Sequence, residues 1–148
     1  MDVVIFKQQK LPAMKNYHIV SRIAIYLLAV VMISFGIYHF QHARELVVYI
    51  PSSLPGGIIW VYLVGAAFIL VAVSFVTNRM VKTSAYLLAI MLFIFILTLH
   101  LPNYLNAGDK EMKALALVNI LKDTAIAGFA LHIAAGAHHQ KLHLEESD

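Results

Sequence analysis

Polar residues in this chain fall into short joints between four long apolar blocks. The first block, IVSRIAIYLLAVVMISFGIYHF (Ile19–Phe40), is long enough for one membrane crossing, since a helix needs about 20 residues to span the hydrocarbon. The second, Gly57–Val76, follows a proline- and glycine-bearing turn, SSLPGG. The third, SAYLLAIMLFIFILTLHL (Ser84–Leu101), is expected to stop at Pro102, and the fourth covers Ala114–Ala137. No low-complexity tract and no repeat of 20–50 residues interrupts the pattern. The fold expected is all-α, a polytopic membrane four-helix bundle. Residues 1–17 form an N-terminal tail, 18–137 the membrane domain and 138–148 a second tail.

Lysine and arginine give the bundle a direction. Lys7, Lys10, Lys15, Arg22, Arg79, Lys82 and Lys141 fall on one side, against Arg44, Lys110 and Lys113 on the other. The positive-inside rule makes both termini cytoplasmic, with the inner (cytoplasmic) membrane as the location. The N-terminus does not read as a cleavable signal, because a polar, basic stretch precedes a first block too long for a signal core.

Composition agrees with this pattern. Of 148 residues, 61% are hydrophobic and only 13% charged, where roughly 25% charged is usual for a soluble domain. Mean hydropathy is +0.78. The net charge of +3 is explained by membrane topology and implies no nucleic-acid partner. The absence of cysteine excludes disulfides, thiolate metal sites and iron–sulfur ligation by this chain alone.

The fourth block carries one anomaly. In NILKDTAIAGFALHIAA, Lys122 and Asp123 stand side by side in an otherwise apolar helix. If the helix enters the membrane near Ala114, Lys122 lies roughly 12 Å deep. Each charge near the midplane costs about 2.5–3.5 kcal/mol, while an apolar neighbour returns only a few tenths. Adjacent residues diverge by about 100° around a helix, so partners from other helices are expected. Glu45 is the expected partner of Lys122, and His39, His42 or His100 of Asp123, because all belong to the same outer half. Asn119 extends that face; His18, Arg22 and His132 belong to the inner half. Alternatively the span starts at Lys122 and runs through His139, leaving both charges among the lipid headgroups.

Certain stretches resemble the DoxX family of small bacterial four-helix membrane proteins. The resemblance is carried by SFGIYHF, VYIPSSLPGGIIWVYLVGAAFIL and NILKDTAIAGFALHIA, and covers about residues 18–137. Gly36 and His39 correspond to a glycine followed by a basic residue at the end of the first helix, where lysine is common in the family. Pro51, Pro55, Trp60 and Gly65 correspond to the proline loop and the aromatic and glycine positions after it. Lys122 and Gly128 correspond to the lysine and glycine of the last helix. The resemblance implies a partner of membrane redox systems, including a thiosulfate:quinone oxidoreductase subunit, or a membrane chaperone for receptor assembly.

The chemistry expected of the outer half is recognition of a quinone-like headgroup or handling of protons. Histidine exchanges protons in the neutral range, and a lysine stabilises a developing oxyanion. The candidate pocket is His39, Glu45, His100, Asn119, Lys122 and Asp123. The competing reading is a polar cluster that fixes helix register. Two further arrangements have matching residue types: haem ligation by His39 with His100 or His18 with His132, and a metal bound by His39, His42 and Glu45. The tail histidines His138, His139 and His143 read as a solvated helix end. Trp60, Tyr62, Tyr49, Tyr104 and Tyr38 read as interfacial anchors, and Gly65, Ala66, Ala67, Gly128, Ala130 and Ala134 as sites of close helix approach. The expected function is an accessory or quinone-interacting component of a membrane redox system, with membrane or soluble redox proteins as partners. The alternative is a non-enzymatic chaperone or scaffold for another membrane protein.

Overall fold

The computed structural model describes residues 11–50 and 54–145, and side chains over 19–50 and 54–136. Helix α1 (Leu11–Gln41) leads through a short α2 (Ala43–Leu46) and a 3₁₀ turn (Val47–Tyr49) to α3 (Ile58–Thr77). Helix α4 (Val81–Phe95) passes through a π turn (Ile96–His100) into α5 (Leu101–Asn106), and α6 (Lys110–Glu145) completes the chain. There is no strand among the described residues. Four segments, Ile19–Gln41, Ile58–Thr77, Val81–Asn106 and Lys110–Gly136, are long and apolar enough to cross a membrane. This is the architecture of a multi-pass membrane protein.

The helices pack as two pairs, α1 on α3 and α4 on α6. Small residues set both contacts. At the α1–α3 crossing a Cβ on Gly36 would lie 2.9 Å from Gly65 O, and one on Gly65 would lie 2.9 Å from His39 Cβ and 3.2 Å from Gly36 O. Only glycine permits backbones this close. The α4–α6 contact is lined with alanine instead: Ala85 and Ala89 on α4 and Ala127, Ala130 and Ala134 on α6 are buried. Met32, Phe68, Phe75, Leu88 and Leu92 fill the space where the pairs meet. This core gathers toward the α3–α4 turn, where Asn78 and Met80 take left-handed conformations. Large apolar side chains such as Leu70, Leu97 and Leu121 point outward, as a lipid-facing surface requires.

Two expectations need correction. Gly128 does not mediate helix approach: nothing lies within 4 Å of a Cβ built on it. The close-approach position is its neighbour Ala127, one step (about 100°) around the helix. Nor does the third span stop at Pro102, since helix continues through it to Asn106. Proline lacks an N–H and its ring clashes with the carbonyl four residues back, here that of Thr98. The chain accommodates this by widening one turn, so that the Leu101 N–H donates to Ile96 O, five residues back. The expected N-terminal tail is helical from Leu11; residues 1–10, 51–53 and 146–148, and the side chains of His18, His138, His139 and His143, lie outside what is described.

Candidate functional site

Asp123 is the only buried polar or charged side chain among the described residues, at 3% exposure. Its position on α6 explains its burial. Ala116, Asp123, Ala127, Ala130 and Ala134 recur at intervals of seven, four, three and four, one face of a helix. Asp123 therefore takes a place in the stripe that packs on α4. It also lies inside the apolar segment Lys110–Gly136. Alanine would satisfy the packing there without the cost of a charge, about 2.5–3.5 kcal/mol in a span.

The carboxylate is satisfied on both oxygens. His100 Nε2 lies 3.1 Å from Oδ2, and Lys122 Nζ lies 3.5 Å from Oδ1. The π turn carries His100 into place. Along an unbroken α-helix His100 would sit about 80° away from the direction of Leu92. One extra residue in the wide turn reduces this to about 20°, which returns the imidazole to the buried α4 stripe facing α6. Side chains also lean toward the N-terminus of their own helix. In antiparallel α4 and α6, His100 and Asp123 lean toward each other.

Lys122 closes the arrangement. Its ammonium donates to Asn119 Oδ1 at 3.2 Å and sits over the Phe35 ring, 4.8 Å from the centroid. Phe35 in turn packs on Phe68, with ring centroids 5.8 Å apart. A side chain of α6 thus reaches α1, and the polar cluster joins the two helix pairs. The expectation that Lys122 and Asp123 cannot meet along their own helix is corrected. The four-carbon lysine stem folds back far enough to bring Nζ to the neighbouring carboxylate.

Glu45 does not join the cluster. It pairs with His42 at 3.2 Å on the short α2, with 72% of its side chain exposed, so the expected Glu45–Lys122 pair is absent. His42 stacks on Tyr38. His39 is held by its own helix, Nδ1 lying 2.8 Å from Phe35 O, and meets the edge of Phe68. His132 is exposed and stacked near Phe129. Among the described residues no three His, Asp or Glu side chains converge to hold a metal ion, so His39, His42 and Glu45 do not form the metal set their spacing allows. An apolar groove of about 180 Å³ between α3 and α4, lined by Ala67, Leu70, Leu87 and Met91 among others, shares no residue with the cluster.

Sequence reasoning overlooked Phe35, Phe68 and the π turn. Phe35 lies four residues before His39, a spacing that puts both on one helix face, and a proline two residues after His100 signalled a helix irregularity.

Residues 28–137 match a family model described as a domain of unknown function, DUF8561. The chain belongs to the DUF8561 family. No curated protein and no solved structure matches it. The matched range takes in every member of the cluster in this DUF8561 protein, from Phe35 to Asp123.

Proposed function

We propose that this DUF8561 protein is an accessory or quinone-interacting component of a membrane redox system, and that the His100–Asp123–Lys122 cluster recognises the ligand's headgroup. The observation that carries the reading is a buried carboxylate within an apolar span, contacted by an imidazole and an ammonium. Intramembrane ionisable groups are costly and cluster at ligand and proton sites. The imidazole keeps 19% and the lysine 37% of side-chain surface accessible, against 4% for Asp123, so His100 and Lys122 are the members open to a ligand. The resemblance to DoxX proteins points to the same class of partner. In this reading both termini are cytoplasmic, the membrane is the inner (cytoplasmic) one and the cluster lies in its outer half.

The test is saturable binding of a short-chain benzoquinone to protein in lipid nanodiscs. His100→Leu and Lys122→Leu are expected to weaken binding at least several-fold while leaving helix content unchanged. Failure of the wild-type protein to bind saturably would sink the proposal.

The second reading, a membrane scaffold or chaperone, is favoured by one observation. Lys122 on α6 touches Asn119, Asp123 and the Phe35 face of α1, which suits a clamp between helix pairs. It requires co-purification with a membrane protein partner, retained when His100 is replaced.

A further inference from the structure

His100 presents two different nitrogens. Nε2 lies 3.1 Å from the buried Asp123 carboxylate, hydrogen-bonding distance. The carboxylate has the Lys122 ammonium on its other oxygen, the complement of an ionised acid, and an ionised acid only accepts. The proton of a neutral His100 therefore sits on Nε2. This leaves Nδ1 as a bare acceptor, because in a neutral imidazole one nitrogen donates and the other accepts. Among the described residues Nδ1 has no hydrogen-bond partner. No buried side-chain nitrogen or oxygen lacks a partner among them either, so Nδ1 lies at an accessible surface.

The donor balance of the cluster follows. Lys122 donates to Asn119 and lies against Asp123 and the Phe35 ring, and the +1 of Lys122 offsets the −1 of Asp123. An anionic headgroup would find no uncompensated positive charge. A carbonyl would find Nδ1 facing it with a lone pair against a lone pair. A hydroxyl, in contrast, donates to Nδ1.

Resting on the proposed quinone-type reading, we infer that the site is selective for the reduced form: it binds a quinol, an aromatic ring bearing hydroxyl groups, through an O–H donated to His100 Nδ1. Asp123 is the positioning residue that fixes the imidazole tautomer, and Lys122 pairs with its other oxygen. Selectivity arises because the oxidised form leaves one acceptor facing another, and unmatched polar groups of this kind discriminate strongly between ligands.

Two measurements test this in the full chain reconstituted in nanodiscs. Nitrogen NMR of ¹⁵N-histidine-labelled protein, with the His100 signals assigned by their loss in His100→Gln, is expected to show protonated Nε2 and bare Nδ1. In Asp123→Leu the tautomers should mix. A wild-type His100 protonated on Nδ1 overturns the inference whether or not any variant folds. In parallel, a short-chain benzoquinol and its benzoquinone are titrated without oxygen. The quinol is expected to bind roughly tenfold more tightly, about 1.4 kcal/mol, with the preference lost in His100→Phe. Equal affinity, or tighter quinone binding, overturns the selectivity and leaves quinone-class binding standing. Binding of neither overturns both. Binding of vesicles rich in anionic phospholipid that competes with the quinol overturns the inference in favour of a headgroup site.

Discussion

His100 Nε2 and Asp123 Oδ2 lie 3.1 Å apart, although His100 closes a π turn before α5 and Asp123 stands within α6. Their meeting needs both the register shift of that turn and the opposed lean of two antiparallel helices. Inter-helical polar pairs in membranes average about 0.6 kcal/mol and reach about 1.7. A double-mutant cycle of His100→Leu and Asp123→Leu, read by unfolding in detergent mixtures, is expected to give a coupling in that range. Strict additivity would mean that the two side chains do not interact in the folded protein.

The π turn exists because Pro102 cannot donate to Thr98 O and cannot tolerate its approach. Pro102→Ala restores the donor and lets the turn tighten to α-helix, rotating His100 by roughly 100° out of the α6-facing stripe. The substitution should stabilise the helix locally but remove the His100–Asp123 coupling from the cycle above. Coupling unchanged in the Pro102→Ala background would show that the turn does not set the pair.

Close approach of α1 and α3 depends on two glycines. A Cβ on Gly65 would sit 2.9 Å from His39 Cβ and one on Gly36 2.5 Å from Ile69 Cγ1. Gly65→Ala should cost about 1–3 kcal/mol by overpacking, and Gly36→Val more, as lowered thermal midpoints. Gly128→Ala meets nothing within 4 Å and should be neutral or stabilising by up to about 1 kcal/mol. The reverse order would place the α1–α3 crossing elsewhere.

The chain has no native cysteine, so orientation is directly measurable. Cysteine introduced at Leu54 or Gly108 should react with an impermeant maleimide from outside intact cells, and at Arg79 only after permeabilisation. The opposite pattern would invert the proposed topology.

Span number and approximate position were legible in the sequence because hydropathy over some 20 residues is a strong, local signal. The end of the third span was not. Pro102 reads locally as a helix stop, and only the packing of α5 on α6 makes it better to widen a turn than to end the helix. Similarly, His100 was among the residues expected to meet Asp123, whereas Glu45 was wrongly assigned to Lys122. Depth alone suggested that pairing, and depth says nothing of azimuth: Glu45 stands on the exposed side of α2 with His42 three residues before it. Gly128 shows the same limit, since composition marks a small residue without saying which face of α6 it occupies.

The central claim is that a quinone-type headgroup sits against His100 at the cluster shared by the π turn, α6 and α1. Photolabelling with an azido-substituted quinol analogue, followed by peptide mapping, tests it most directly. The account expects competable label on peptides containing His100 or Asn119–Asp123, much reduced in His100→Leu. Label confined to other helices, or label that unlabelled quinol does not displace, would contradict it.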